Sequence, residues 1–287
     1  MRPPFGTVLR QALYSSPVDS PVNRCEVQRP REGALPMNVV TPIREEDIEF
    51  DHGSFDAAAF ARQTLASWQA LAAVIDHTLL KPEATGEQIE SLCDEAIRYR
   101  FACAMVNPIW ASTAVSVLSG TGIPVGATIG FPLGASLAST LRQEAAALAR
   151  LGVRELDMVI PIGYLKSGNR QAVEHTIHAA ATVAHHHGAL LKVILETALL
   201  TVEEKLRGAE IAIQAGADFI KTSTGFSTGG ATAADVALLR GVAGARCGVK
   251  AAGGIRTLAD VRSLLEAGAN RIGASASVSI VRELGAE

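Results

Sequence analysis

The sequence predicts an α/β fold: a (β/α)8 barrel, or TIM barrel, that follows an N-terminal extension. From residue 71 to the end of the chain at residue 287, eight short apolar runs alternate with helical stretches that have a polar face. Runs that are apolar on both faces, each followed by a helix, are typical of a parallel sheet covered by helices. A barrel of this kind takes roughly 250 residues, which suits the length available. An open doubly wound sheet is the alternative, but no G-x-G-x-x-G pattern follows the first run.

The predicted strands are the apolar runs at 72–76, 102–106, 123–129, 155–160, 190–195, 217–222, 247–252 and 270–274. Three of the helical stretches between them begin at a threonine in an N-cap position, namely Thr85, Thr201 and Thr257. Thr85 and Thr201 are followed three residues later by Gln88 and Glu204, which is the spacing of a capping box. These local signals separate each predicted strand from the helix that follows it.

The composition changes near residue 70, which divides the chain into three parts. Six of the 12 prolines fall within the first 36 residues, and no apolar period is sustained there. We therefore expect residues 1–54 to form an N-terminal extension that is disordered or loosely attached. The spacing of large apolar residues over 55–70 predicts an amphipathic accessory helix. Residues 71–287 are then the barrel domain, where we expect any active site to lie.

Charge and composition exclude several classes of partner. The formal net charge of −3 gives no reason to expect nucleic acid or an anionic membrane. No apolar run approaches the length of a membrane span, and four widely separated cysteines without a C-x-x-C pair suit free thiols in a reducing cytoplasm. We expect no metal site either, because the consecutive histidines 185–187 would point in three directions from a helix.

Single charged residues interrupt four of the predicted strands. Asp157 lies in ELDMVI, and Lys192, Lys221 and Lys250 lie in the later runs, with 29 residues between successive lysines. A spacing of 29 residues corresponds to one βα repeat, so the three lysines are predicted to lie at similar heights on neighbouring strands. Buried salt bridges are one interpretation of this cluster. The other is chemical, because one carboxylate cannot neutralise three ammonium groups and unpaired buried charge is costly.

Crowding and desolvation both lower the pKa of a lysine, so one amine of the cluster is expected to be neutral and nucleophilic near pH 7. A neutral amine attacks a carbonyl carbon to form a Schiff base, which is an electron sink for breaking or forming a C–C bond. The other charged groups can move protons. The cluster therefore predicts a Schiff-base aldolase.

Glycine-rich segments close the last predicted strands, at AAGGIRT and IGASAS. In a (β/α)8 barrel the loops after strands 7 and 8 frequently bind phosphate through backbone N–H groups. The candidates are Gly253, Gly254 and Ser275, joined by Thr224 and Gly225 of the TSTG turn. Each segment alone could be only a tight turn. Together they favour a phosphorylated substrate.

Residues 72–284 resemble the deoxyribose-phosphate aldolase family, which consists of Schiff-base aldolases with this barrel fold. The resemblance rests on IDHTLLKP, VNP, GFPLG, ELDMVIPIG, KVILET, IKTSTGF, VKAAGGIRT and RIGAS, in that order. It implies reversible cleavage of 2-deoxy-D-ribose 5-phosphate to D-glyceraldehyde 3-phosphate and acetaldehyde, without a metal or other cofactor. A homodimer or a larger homo-oligomer stays open.

The resemblance also implies roles for individual residues. Lys221 is the Schiff-base lysine, and Lys250 is the second lysine, which takes part in proton transfer. We expect the charge of Lys250 to be the main cause of a lowered pKa at Lys221. Asp157 belongs to the proton relay, Lys192 lines the site, and Asp76 contacts the substrate or supports the structure.

Two positions depart from the family pattern, and two rival functions remain. Met105 stands where many members have a cysteine, and Ala276 stands where some have a second serine next to the phosphate.

One rival function is that of another Schiff-base aldolase on the same fold, such as a transaldolase or a sugar-acid aldolase. The other is a catalytically silent barrel that only binds phosphate.

Overall fold

A computed structural model describes residues 55–287, and the extension predicted at 1–54 lies outside the described residues. The described residues contain eight parallel strands in a closed barrel, in the order β1 to β8. Each strand from β1 to β8 is followed by at least one helix along the chain. The predicted (β/α)8 barrel is confirmed.

The strands are β1 (Ile75–Leu79), β2 (Cys103–Val106), β3 (Val125–Ile129), β4 (Glu155–Val159), β5 (Leu190–Ile194), β6 (Phe219–Lys221), β7 (Gly248–Ala252) and β8 (Arg271–Ala274). The helices are α1 (Ala57–Thr64), α2 (Trp68–Ala72), α3 (Gly86–Tyr99), α4 (Ala111–Val117), α5 (Ala138–Leu151), α6 (Ile162–Lys166), α7 (Arg170–His186), α8 (Val202–Gln214), α9 (Ala233–Ala243), α10 (Leu258–Glu266) and α11 (Ser277–Glu283). Short 3-10 turns lie at Pro108–Trp110 and Thr197–Leu199. No helix among residues 55–287 has the length and apolar character that crossing a bilayer requires.

The threonine caps behave as their spacing predicts. The side chains of Thr85 and Thr201 each accept a hydrogen bond from the backbone N–H three residues later. The side chains of Gln88 and Glu204 in turn accept one from the backbone N–H of the threonine, which completes two capping boxes. Thr257 forms a third box with Asp260, since a short carboxylate at this position can also reach back to the cap.

The first strand begins three residues later than the sequence predicts. Residues Trp68–Ala72 form α2, in which Leu71 and Ala72 are fully buried, and β1 starts at Ile75. A short apolar run fits a buried helix as well as a strand, so periodicity alone does not separate them. Asp76 is therefore the second residue of β1, well inside the barrel.

The accessory element at 55–70 is two helices where one was expected. Asp56 caps α1 by accepting a hydrogen bond from the N–H of Ala59, and Ser67 caps α2 by accepting one from Ala70. A serine that caps a new helix requires an extended backbone, which ends the preceding helix before it. Helix α1 packs on α10, and α2 packs on α11.

The register of the strands decides which side chains share a layer inside the barrel. Following hydrogen-bonded partners once around the barrel ends eight residues from the start, the stagger that closes a barrel of this type. With that stagger, alternate strands supply the side chains of each layer. The upper layer holds Met105, Asp157, Lys221 and Gly273; the middle layer holds Asp76, Gly126, Lys192 and Lys250; the lower layer holds Cys103, Glu155, Phe219 and Arg271.

The layers refine the expectation that the three lysines lie at one height. Lys192 and Lys250 come from β5 and β7 and share the middle layer, whereas Lys221 comes from β6 and lies one layer higher. Glycine at position 273 leaves room for this arrangement, because a Cβ atom there would lie 2.9 Å from Cε of Lys250. Of these three lysines, Lys221 is consequently the one closest to the carboxyl ends of the strands.

Candidate active site

Asp157 is the centre of the charged cluster inside the barrel. Its Oδ1 accepts a hydrogen bond from Nζ of Lys192 at 2.8 Å. Its Oδ2 accepts one from Nζ of Lys221 and one from Nζ of Lys250, each at 2.7 Å. The structure therefore brings the four strand charges found in the sequence into direct contact.

Asp76 forms a second centre one layer below. Its Oδ2 lies 2.5 Å from Nζ of Lys250 and 3.3 Å from Nζ of Lys192, and its Oδ1 accepts a hydrogen bond from Arg271 at 2.7 Å. The Asp76 side chain is fully buried. It joins the lysines of the middle layer to an arginine that the sequence reasoning missed.

Glu155 is the other missed member of the cluster. Its Oε2 lies 2.6 Å from Nζ of Lys192, and its Oε1 lies 3.5 Å from Arg271. The inward side of a strand repeats every two residues, so Asp157 predicts an inward side chain at Glu155. The same two-residue period, counted back from Gly273, predicts that the side chain of Arg271 on β8 also points inward.

The cluster thus contains three carboxylates and four cations among the described residues, and every lysine in it is ion-paired. The expectation of one carboxylate facing three ammonium groups is wrong, because Asp76 and Glu155 also point inward. The salt-bridge interpretation therefore describes the geometry correctly. This interpretation does not exclude a catalytic role for the cluster, since three carboxylates still face four cations.

The pKa of Lys221 is lowered to about 8, while that of Lys192 is raised well above its usual value. Burial has the largest effect on both and favours the neutral amine. At Lys192 the charges of Asp157, Asp76 and Glu155 outweigh burial. Among residues 55–287, Lys221 has Asp157 as its single ion-pair partner, and the charges of Lys250 and Lys192 lower its pKa.

Two expectations about Lys221 need correction. Burial, rather than the charge of Lys250, is the largest cause of its lowered pKa. A pKa of about 8 also leaves only roughly a tenth of the amine neutral at pH 7. That fraction is far larger than for an ordinary lysine, whose pKa of about 10.4 leaves well under a hundredth neutral.

Two of the three carboxylates of the cluster, Asp157 and Asp76, are held in their charged form. Burial raises the pKa of Asp157, but the three surrounding ammonium groups hold it well below its usual range. The pKa of Asp76 is likewise lowered, because Lys192, Lys250 and Arg271 outweigh its burial. Ligand atoms of Asp76, Cys103 and Glu155 lie within 4.8 Å of one another. Lys192 and Arg271 already contact both carboxylates, so the protein supplies the cations at this position itself.

Lys221 opens onto a cavity of about 350 Å³ at the carboxyl ends of the strands. Its walls include the loops after β1, β6, β7 and β8. Lys192, Lys250, Asp157 and Asp76 do not line the cavity, so Lys221 is the member of the charged cluster that a ligand there can reach. This differs from the expectation that Lys192 lines the site. Of the two roles expected for Asp76, substrate contact or structural support, a position outside the cavity lining favours structural support.

The lining of the cavity contains all five of the predicted phosphate-binding residues: Thr224, Gly225, Gly253, Gly254 and Ser275. Gly254 has φ of +78°, and a Cβ atom there would meet nothing within 4 Å. Lys81 also lines the cavity and was not singled out from the sequence. The cavity therefore joins one reactive amine to a wall of small residues with a second lysine at its edge.

Thr224 is the exception among these five residues. Its N–H donates to Oε2 of Glu196 at 3.2 Å, and its hydroxyl donates to the same oxygen. Both of its donors are therefore occupied within the protein. Glu196 is buried and was not identified from the sequence.

The two departures from the family pattern lie in different surroundings. Met105 is fully buried and packs with Leu80, Cys103 and Phe131. Ala276 is half-buried directly before α11 and offers no side-chain cap to that helix.

A larger cavity of about 560 Å³ lies between the loops that follow β3 and β4, next to α7. Leu133, Tyr164 and His175 are among its lining residues, and no member of the charged cluster lines it. Size alone does not identify a reactive site, so the smaller cavity with Lys221 is the better candidate.

Comparisons with known proteins agree with this geometry. The family described as "DeoC/LacD family aldolase" matches residues 70–283. A deoxyribose-phosphate aldolase of Geobacillus sp. (strain WCH70) is 52% identical over 211 residues, which cover 74% of this chain and 94% of that protein. One of Listeria monocytogenes serovar 1/2a is 53% identical over 219 residues, with the same coverage.

A solved structure shows the same fold. The deoxyribose phosphate aldolase of Aeropyrum pernix, described as having a unique tetrameric structure, aligns with a TM-score of 0.74 and 34% sequence identity. The alignment covers 79% of this chain and 96% of that one. The matched family extends over most of the chain and over every strand of the barrel. The protein belongs to the DeoC/LacD family of aldolases.

Proposed function

We propose that the protein is a deoxyribose-phosphate aldolase that cleaves 2-deoxy-D-ribose 5-phosphate reversibly to D-glyceraldehyde 3-phosphate and acetaldehyde. The observation that carries the proposal is the position of Lys221. Its pKa is lowered, and it lines a cavity whose lining also contains glycines and a serine. The named relatives support the same substrate.

In the proposed reaction, the neutral amine of Lys221 attacks C1 of the open-chain aldehyde, and loss of water gives a protonated imine. A base then removes the proton of the C3 hydroxyl group. The C2–C3 bond breaks, its electron pair moves to C2 to form an enamine, and C3 becomes the aldehyde carbon of D-glyceraldehyde 3-phosphate. Protonation of C2 and hydrolysis of the imine release acetaldehyde and free Lys221.

Asp157 and Lys250 are the proposed proton carriers. Oδ2 of Asp157 lies 2.7 Å from Nζ of both Lys221 and Lys250, so one carboxylate oxygen joins the nucleophile to the second ammonium group. A proton leaving Lys221 can pass along this contact without crossing solvent. Lys192 and Asp76 lie below the cavity, and we propose that they hold Asp157 and Lys250 in place by charge.

The phosphate group is proposed to bind against Gly253, Gly254 and Ser275, which approach the cavity from the loops after β7 and β8. Small residues allow backbone N–H groups to approach an anion closely. The reaction needs no metal or other cofactor, and the substrate is a small phosphorylated sugar rather than a nucleic acid.

We propose a cytoplasmic enzyme, because Cys93, Cys103 and Cys247 are free thiols that suit a reducing compartment. We also propose a homo-oligomer, a homodimer or larger.

Borohydride reduction in the presence of acetaldehyde, followed by peptide mapping, tests the proposal. We expect the label on Lys221, and none after substitution Lys221→Arg. Substitution Lys166→Arg, which changes an exposed lysine paired with Glu204, is the control and should leave labelling intact. Labelling of Lys192 or Lys250 in its place would contradict the assignment, and no labelling at all would favour a silent phosphate-binding barrel. Cleavage of a panel of phosphorylated sugars separates this function from a transaldolase or a sugar-acid aldolase.

A further inference from the structure

Glu196 has an unusual backbone for a residue that is not glycine. It follows β5 with φ of 59° and ψ of 63°, in the left-handed region. Only Arg100 shares a positive φ among the other non-glycine residues described. Such a conformation is costly for a residue with a Cβ atom and persists where surrounding contacts enforce it.

The side-chain hydrogen bonds of Glu196 lead to the loop that follows Lys221. Its Oε2 accepts hydrogen bonds from the N–H and the hydroxyl of Thr224, and the hydroxyl of Thr224 accepts one from the N–H of Phe226 at 3.0 Å. The flanking backbone is tied to the same strand, since Leu195 donates to the carbonyl of Lys221 at 2.9 Å. Its side chain is nearly fully buried and does not line the cavity.

The loop held in this way packs directly against the loop after β7. A Cβ atom on Gly253 would lie 3.1 Å from Cα of Gly230 and 3.5 Å from Cα of Gly225, so the two backbones are in close contact. The N–H of Ala231 donates to the carbonyl of Gly253 at 3.0 Å. A shift of the loop after Lys221 therefore displaces Gly253, which is part of the cavity wall.

We propose that Glu196 is a positioning residue that sets the shape of the phosphate-binding wall through Thr224 and Gly253. Thr224 then supports the wall and does not donate to the phosphate, because Glu196 occupies both of its donors. This inference rests on the proposed function only for the identity of the phosphorylated substrate. The contacts themselves are independent of the reaction.

The variants test this chain of contacts in order. Substitution Glu196→Leu removes the acceptor of both Thr224 donors. Substitution Glu196→Gln keeps one carbonyl oxygen for them, and its amide group can take the place of Oε1, which has no hydrogen-bond partner among residues 55–287. Thr224→Val keeps the N–H donor of Thr224 but removes its hydroxyl group, which donates to Glu196 and accepts from the N–H of Phe226. Thr224→Ser restores that hydroxyl group.

Kinetics with 2-deoxy-D-ribose 5-phosphate and with 2-deoxy-D-ribose give the main readout. We expect Glu196→Leu to lose about tenfold or more in kcat/KM for the phosphorylated sugar, mainly through KM, and to change little with the unphosphorylated sugar. Glu196→Gln should stay within about threefold of the wild type for both sugars. Thr224→Val should show the same selective loss, and Thr224→Ser should reverse it. Equal losses for both sugars, or no loss in folded Glu196→Leu, would overturn the proposal.

Calorimetric titration with inorganic phosphate separates this inference from the proposed function. The wild type should bind phosphate, and Glu196→Leu should bind it about tenfold more weakly. If the wild type cleaves neither sugar, the proposed function fails, while the phosphate titration still decides the role of Glu196. Equal phosphate binding by the two proteins, or none by the wild type, overturns the inference. If Glu196→Leu does not fold, as judged by circular dichroism, Thr224→Val carries both measurements.

Discussion

Lys221 and Lys250 are register partners on the paired strands β6 and β7, and their ammonium groups donate to the same oxygen, Oδ2 of Asp157, each at 2.7 Å. Of these two lysines, Lys221 lines the cavity and Lys250 does not. The pair therefore divides into an amine that a substrate can reach and an ammonium group beneath it. Because they share one carboxylate oxygen, a change at either lysine must alter the charge balance at the other.

Replacing Lys250 with leucine should raise the pKa of Lys221. The substitution removes a positive neighbour and leaves Asp157 with one competitor fewer, so the pKa moves up from about 8 towards its usual value. The wild-type amine becomes neutral as pH rises through about 8, so borohydride trapping with acetaldehyde should be half-maximal near that pH. In Lys250→Leu the midpoint should shift upward, and turnover should collapse at every pH because a proton carrier is lost.

Substitution Lys205→Leu is the matched control for this experiment. Lys205 also has an ion pair, 2.6 Å from Asp235, but it is less buried than Lys250 and lies outside the charged cluster. It should leave the trapping midpoint in place. A midpoint that Lys250→Leu does not move would show that burial alone lowers the pKa of Lys221.

Replacing Gly254 with leucine should impair cleavage of the phosphorylated sugar selectively. A side chain at this position extends into open space at the cavity wall, where it blocks the approach of the phosphate. We expect a loss of about a hundredfold in kcat/KM for 2-deoxy-D-ribose 5-phosphate and a much smaller loss for 2-deoxy-D-ribose.

Gly120 offers a control with the same backbone strain. Its φ is +75°, compared with +78° at Gly254, and a Cβ atom at either position meets nothing within 4 Å. Gly120→Leu should therefore lower the melting temperature by a similar amount without changing the preference between the two sugars. If Gly254→Leu also affects both sugars equally, the loop after β7 has a structural role only.

His77 should make the fold sensitive to acid. It is buried on β1 beside Phe101, and its Nε2 pairs with Glu95 at 2.8 Å. Burial lowers the pKa of His77 below 6.5 despite the hydrogen bond to Glu95. Between that lowered pKa and about 6.5, the unfolded chain binds a proton that the folded chain does not bind, so stability falls as pH falls through this window.

Urea denaturation between pH 8 and pH 5 measures this effect. The contribution of His77 is at most about 1.4 kcal/mol per pH unit, and it should disappear in His77→Gln. The same substitution at exposed His178 is the control and should leave the acid sensitivity unchanged. An identical pH dependence in His77→Gln and the wild type would assign the sensitivity to other groups.

Deleting residues 1–36 should leave the activity nearly unchanged. The family match begins at residue 70, so the catalytic fold does not depend on this segment for any matched motif. Aldolase activity and melting temperature of the shortened and complete chains provide the comparison. A large loss of activity or of folded protein would show that the segment is required.

The sequence by itself determined the order of strands and helices, because both depend on local hydrophobic periodicity and on helix-capping residues. Strands β2 to β8 were located to within two residues, and the cap threonines Thr85, Thr201 and Thr257 all begin helices. The lone charges on the strands also indicated the cluster, since Asp157 and the three lysines do meet. Among the predicted strands, only the run at 72–76 was placed more than two residues from the observed strand, because a short buried helix has the same apolar composition as a strand.

The tertiary structure decided how the charges are paired and which amine is accessible. Glu155 and Arg271 join the cluster because the eight-residue stagger of the barrel places them in its lower layer, and no local signal encodes that stagger. The same stagger puts Lys221 one layer above Lys192 and Lys250, although all three occupy similar strands in the sequence. Glu196 contacts Thr224 across 28 residues of chain, so its role depends on two loops that only the closed barrel brings together.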